Sequence, residues 1–180
     1  VDIVKDLKDR IEVLISQEQI QQKVKELGAQ ISHDFAGKEM CVIGILKGCF
    51  LFMADLIRHI DVPLSCDFLG VSSYGSRTKS SGVVKITSDL TFSVTGKDLL
   101  IVEDILDTGL TLSYLMENLR TRKPESVKIC TLLHKPSNTV VDIKPDYVGF
   151  TVPDRFVIGY GLDFDQYYRN LPFIGTLNNI

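Results

Sequence analysis

Apolar positions recur along this chain in two periods, and their alternation lays out an order of elements. Ile20, Val24, Leu27, Ile31 and Phe35 fall at helical spacing, the step that gathers side chains on one face of a helix. Ser16-Gln17-Glu18-Gln19 ahead of them reads as a capping box and Gly37 as the stop, so an amphipathic helix packed on a sheet is expected. Met40 to Leu46 and Leu64 to Val71 read as strands on either side of a mostly apolar helix from Cys49 to Ile60. Strand, helix, strand implies a right-handed parallel crossover. Val83 to Ile86 and the strand at Leu99 resume the sheet, a helix follows from Leu110 to about Leu119, and Ser126 to Leu133 gives another strand. This alternation predicts the α/β class, a mainly parallel twisted sheet flanked by helices. From Asp146 onward the strands are shorter and richer in Pro, Gly and aromatics. We therefore expect one domain over residues 1–180, with a core at about 16–139. Residues 140–180, with part of the N-terminus, are expected to form a small hood over the strand ends.

Leu99 to Val102 is a continuous apolar run, as expected for a parallel strand covered on both faces, and Glu103 and Asp104 are expected to end it with charge. Asp107-Thr108-Gly109-Leu110-Thr111 then opens a helix. In open α/β sheets ligands bind beyond the carboxyl ends of strands, where amides at the next helix N-terminus favour anions. Gly109 lets backbone approach a phosphate, and Thr108 and Thr111 add hydroxyl donors without negative charge. Ionised Glu103 and Asp104 only accept hydrogen bonds, which suits a vicinal diol or, through water, Mg²⁺. The plainer reading is a capped helix. A cap explains one acid or one hydroxyl, whereas three acids stand here.

Composition narrows the classes. A chain of 180 residues with 44% hydrophobic and 24% charged residues is ordinary for a globular domain. A net charge of -3 argues against non-specific attraction to nucleic acid or anionic membrane, so neither is an expected partner. Val1 to Asp6 carries charge throughout, no secretory signal is expected, and no apolar run approaches the length that spans a bilayer. A cytoplasmic location is expected. Cys41, Cys49, Cys66 and Cys130 are far apart, with no C-x-x-C and no paired His at metal-ligand spacing, and are expected to be buried, reduced thiols. His33, His59 and His134 show no nucleophile-base arrangement. Gly75 to Gly82 forms a polar loop too long and too rich in small residues to be only a connector.

The segment Val102 to Leu112 resembles the phosphoribosyl pyrophosphate (PRPP) binding motif of type I phosphoribosyltransferases. Ile45 to Phe50 resembles their pyrophosphate loop, Ser72 to Ser76 their mobile catalytic loop, and His134-Lys135-Pro136 the site of their purine-contacting lysine. Pro153 to Asp163 with Tyr168 to Leu171 resembles the base-binding hood of the 6-oxopurine branch, the hypoxanthine-guanine phosphoribosyltransferases, much as in bacterial enzymes. The resemblance covers most of the chain in the family's order. It implies the type I fold and transfer of 5-phosphoribosyl from PRPP to N9 of hypoxanthine or guanine, giving IMP or GMP and pyrophosphate.

Residue roles follow from the same resemblance. Asp107 is expected as the base for the purine proton, against a rival reading as a helix N-cap. Asp107, Thr108, Gly109, Leu110 and Thr111 hold the 5-phosphate, and Glu103 and Asp104 the ribose and its Mg²⁺. Leu46, Lys47, Gly48 and Arg169 face pyrophosphate, and the Leu46–Lys47 peptide is one that can be cis in the family. Asp163 is expected at a second Mg²⁺, with helix capping as its alternative. Lys135 donates to the purine O6, Phe156 stacks, and Val157 and Asp163 offer backbone groups; core packing for Phe156 and simple exposure for Lys135 remain open. Ser73 and Tyr74 belong to a lid that excludes water from a cation-like sugar. A homodimer or homotetramer is implied. The competing readings are a PRPP- or nucleotide-sensing regulator on the same fold and a transferase that prefers xanthine.

Overall fold

The computed structural model describes residues 11–74 and 83–177. Its first strand, β1 (Ile11–Ile15), leads into α1 (Gln17–Asp34), where the expected capping box forms. Ser16 Oγ accepts from Gln19 N–H at 3.3 Å and Gln19 Oε1 from Ser16 N–H at 2.8 Å, satisfying two donors that a helix start leaves free. Ile20, Val24, Leu27 and Ile31 are buried on one face.

Next come β2 (Met40–Leu46), α2 (Phe50–Ile57), β3 (Leu64–Tyr74), β4 (Val83–Ser88), β5 (Asp98–Leu106), α3 (Leu110–Thr121) and β6 (Ser126–His134). β7 (Tyr147–Thr151), β8 (Val157–Ile158) and β9 (Ile174–Leu177) complete the chain. Six strands form one sheet in the order β4-β3-β2-β5-β6-β7. All its pairings are parallel except β3 with β4. The α/β expectation is met.

Strand alternation divides the core between two layers. Val42, Leu100 and Val102 pack with α1 and α2, while Cys41, Ile43, Leu99 and Ile101 pack with Leu112, Leu115 and Leu119 of α3. Both faces of the central strands are therefore dry, which is why they read as unbroken apolar runs.

Several boundaries differ from expectation. β5 does not stop at Val102: its ladder with β6 continues through Glu103↔Thr131 and Leu106↔His134. Backbone pairing is indifferent to side-chain charge, so the two acids lie inside the strand. α2 runs from Phe50 to Ile57 rather than Cys49 to Ile60, because the backbone tightens after Ile57, with His59 N–H reaching Leu56 O. Cys66 is exposed, unlike buried Cys41, Cys49 and Cys130. β4 pairs with β3 only from Gly70 onward, which leaves Cys66 on an uncovered stretch of strand.

The second sheet is antiparallel, β1-β9-β8, joining residues 11–15 to 157–177. β7 lies beyond residue 140 yet pairs with β6 in the main sheet, so that sheet extends into the stretch expected to be hood. No helix among the described residues is long and apolar enough to cross a membrane.

Candidate active site

The parallel strands β2, β5 and β6 end at one edge of the sheet, and the segments leaving them converge there. After β5 the chain turns through Asp107, Thr108 and Gly109 into α3. Gly109 takes φ +82° and is the N-cap, and makes no side-chain cap bond itself, so first-turn amides beyond Leu110 stay open to a ligand. A pocket of about 110 Å³ is lined by Glu103, Asp107, Thr108, Gly109 and Thr111 among others. Asp107 is therefore not the helix cap. Its Oδ1 accepts from Asn138 Nδ2 at 2.9 Å instead. Leu110 N–H donates to Thr108 Oγ1 at 3.4 Å.

The loop from β2 to α2 approaches the acids from the other side. The Leu46–Lys47 peptide is cis. A Cβ on Gly48 would overlap the Asp104 carboxylate, and one on Gly161, at φ +100°, would overlap Gly48 O. The β2–α2 loop, Asp104 and the turn at Gly161 are thus in close contact, which only glycine allows.

Lys47 and Arg169, far apart in sequence, meet at one side chain. Lys47 Nζ donates to Gln166 Oε1 at 3.3 Å and Arg169 Nη2 to the same oxygen at 3.4 Å. Arg169 also donates to Gly161 O at 2.6 Å and pairs with Asp163 Oδ1 at 2.8 Å. Asp163 Oδ2 accepts from Gln166 N–H at 2.7 Å. No helix starts near Asp163, so its capping alternative falls away.

On the hood side, Lys135 is buried at 6% exposure, with Nζ 3.6 Å from Asp154 Oδ1. Phe156 is half exposed and meets Phe164 edge to face at 5.8 Å. The alternatives of an exposed lysine and a core phenylalanine are both excluded. Val157 is buried and pairs with Thr176 in the second sheet. Ser73 and Tyr74 close β3 opposite Val84 and Val83; the loop expected as a lid, residues 75–82, lies outside the described residues.

Electrostatically the acid pair is the unusual feature. Desolvation, then the charge of Asp104 and a hydrogen bond with it, push the Glu103 carboxyl well above the usual range. Desolvation also raises Asp104, opposed by hydrogen bonds from Glu103 and the Ile105 N–H and by the charge of Arg169. Glu103 Oε2 is buried with no hydrogen-bond partner among the described residues. An acceptor closed off from water in this way is costly unless a cation or donor completes it. Cys49, beside the pair, is held protonated by burial and by both carboxylates. Among the described residues no group of three or more His, Cys, Asp or Glu is arranged to hold a metal alone. One or two carboxylates with substrate oxygens and water are the usual Mg²⁺ set, and the orphaned Glu103 oxygen fits that role.

Asn138, Asp154 and Gln166 were not anticipated from sequence. Ser137-Asn138-Thr139 reads as a polar turn after a strand, but nothing local tells that its amide crosses to Asp107. A further cavity, about 580 Å³ and lined by Glu18, Lys25, Asp55 and His59 among others, lies between α1 and α2 and contains none of these residues.

The family model described as phosphoribosyl transferase domain matches residues 14–165. Hypoxanthine-guanine phosphoribosyltransferase of Bacillus subtilis is 61% identical over 165 residues, 92% of each chain. The bifunctional protein TilS/HprT of Listeria monocytogenes is 52% identical over 165 residues, 92% of this chain and 26% of that protein. A crystal structure of hypoxanthine phosphoribosyltransferase from Staphylococcus aureus superposes with a TM-score of 0.92 at 51% identity, covering 96% of this chain and 95% of that one. The chain belongs to the phosphoribosyltransferase family and groups within it with the hypoxanthine-guanine phosphoribosyltransferases.

Proposed function

We propose that this protein is a purine salvage enzyme that transfers 5-phosphoribosyl from PRPP to N9 of hypoxanthine or guanine. The observation that carries the reading is the convergence of the open α3 N-terminus, the Glu103–Asp104 pair and buried Lys135 at one sheet edge, in a chain 61% identical to a hypoxanthine-guanine phosphoribosyltransferase.

The bond from C1′ to pyrophosphate breaks as the bond from N9 to C1′ forms, and the purine loses a proton. The α3 amides, with Thr108 and Thr111, hold the 5-phosphate. Glu103 and Asp104 accept from the ribose hydroxyls. Lys47 and Arg169 face the departing pyrophosphate and balance its growing charge, with the guanidinium offering a bidentate fork. Asp107 takes the proton from N7 as N9 bonds, a transfer within reach of a carboxylate beside the base. Lys135 donates to O6 while Phe156 stacks, and adenine, with an amine at that place, gives the ammonium nothing to bond.

Glu103 and Asp104 would hold Mg²⁺ and Asp163 a second ion; such ions would neutralise charge on PRPP and its leaving group. Ser73 and Tyr74 head the lid. Free cysteines suit a reducing, cytoplasmic location, and exposed Phe50 and Phe68 suit self-association as a dimer or tetramer.

The test is a panel of hypoxanthine, guanine, xanthine and adenine with PRPP. The first two should be converted and adenine refused. Lys135→Met should raise the KM for both accepted purines by about tenfold or more. Preference for xanthine, or PRPP binding with no turnover of any base, would replace this reading with a xanthine enzyme or a sensing regulator respectively.

A further inference from the structure

The turn carrying Asp107 and the loop carrying Lys135 are laced together by hydrogen bonds. Lys135 N–H donates to Leu106 O at 2.9 Å and Val140 N–H to Thr108 O at 3.0 Å. Thr139 Oγ1 donates to Asp107 O at 3.0 Å. At the centre stands Asn138. Its Nδ2 donates to Asp107 Oδ1 at 2.9 Å and to Asp154 Oδ1 at 2.7 Å. The same Asp154 oxygen is the one 3.6 Å from Lys135 Nζ. A side-chain amide has two hydrogens, and here each serves a different carboxylate.

We propose that Asn138 is a positioning residue that fixes the proton-accepting carboxylate of Asp107 and, through Asp154, the purine-facing ammonium of Lys135. The inference rests on the phosphoribosyl-transfer reading and deepens it. An aspartate at the end of a turn has rotamer freedom; a bond to Oδ1 removes it and leaves Oδ2 for the incoming proton. At the other end, the Lys135 side chain is only 7% exposed whereas that of Asp154 is 64% exposed. A buried ammonium needs its opposite charge kept near, and an exposed carboxylate turns toward water unless something holds it. The Asn138 amide does so. It is also neutral, so it bridges two anions without adding a third. Proton removal and O6 recognition are thereby governed by one side chain that touches neither reacting atom.

The test compares Asn138→Ala and Asn138→Asp with the unaltered protein, using PRPP, Mg²⁺ and hypoxanthine. Single-turnover rate, the KM for each substrate and melting temperature are measured. Alanine removes the donor and should slow the single-turnover step about tenfold. It should also raise the hypoxanthine KM, while the PRPP KM stays within about twofold and the melting temperature holds. Aspartate keeps the shape but turns the donor into a third carboxylate, so it should be slower than alanine. A purely space-filling role predicts the reverse order. The proposal is overturned if the aspartate variant matches or exceeds the alanine one. It is equally overturned if both KM values rise together, or if the variants only melt earlier at unchanged rates. Failure of the unaltered protein to convert hypoxanthine would instead sink the phosphoribosyl-transfer reading, and this inference with it.

Discussion

Glu103 is the residue of the proposed site that sits least comfortably in the ligand-free protein. Its Oε2 is buried with no hydrogen-bond partner among the described residues, and Asp104 stands beside it. Two desolvated carboxylates cost stability in the ligand-free protein, a cost retained where function uses it. Glu103→Gln should therefore raise the ligand-free melting temperature by about 3 °C, the scale of a 1 kcal/mol gain at this chain length. PRPP-dependent turnover should fall by about tenfold or more, since a neutral amide no longer complements a metal or a diol as well. Thermal melting with a parallel rate assay checks both. A variant that melts lower would show that the pair is already compensated within the protein. The acids themselves were legible in sequence, because charge directly after an apolar run is conspicuous. Their half-burial was not, since Gly48 packs on Asp104, and Gly161 on Gly48 in turn, from segments far away in the chain.

At the scale of elements, the regular pieces were legible wherever periodicity and caps agree. The α1 capping box and the β2 strand fall where the pattern puts them. Strand ends were less legible, as β5 shows: a parallel ladder continues past charged side chains while its partner offers backbone groups. Inter-element ties were not legible at all. Asp67 on β3 illustrates one. Burial would raise its carboxyl, but hydrogen bonds from Thr91 N–H at 2.7 Å, Phe68 N–H at 2.8 Å and Thr91 Oγ1 at 2.9 Å outweigh that and hold it below the usual range. A carboxyl lowered on folding contributes stability above its unfolded value of about 3.9 and loses it as pH falls through the lower native value. Asp67→Asn should then cost about 1 to 2 kcal/mol at pH 7. The difference should shrink below a pH of about 3.9. Urea unfolding at pH 7 and at about pH 3 distinguishes this from a gap that does not change, which would assign the loss to geometry rather than charge.

Across the whole molecule, the site is assembled from both sheets. Lys47 leaves β2, Asp107 follows β5, Lys135 follows β6, and Arg169 lies in the turn before β9. Topology brings them together: the parallel order β2-β5-β6 points three strand ends to one edge, and the antiparallel hood folds residues 163–169 back over it. The motifs were readable one at a time because each keeps its chemistry within a few residues. Their joints were not, because Gln166 reaches Lys47 across 119 residues and Asn138 reaches Asp107 across 31. The account's central claim is that this assembly transfers phosphoribose with Asp107 as the proton acceptor. The most direct test is single-turnover conversion of hypoxanthine with PRPP and Mg²⁺, comparing the unaltered protein with Asp107→Ala. The account predicts nucleotide and pyrophosphate in equal amounts from the unaltered protein. In the variant the rate should fall by about 10² to 10⁴ with little change in the KM of either substrate. Unchanged turnover in the variant, or no PRPP-dependent nucleotide from the unaltered protein, would contradict it.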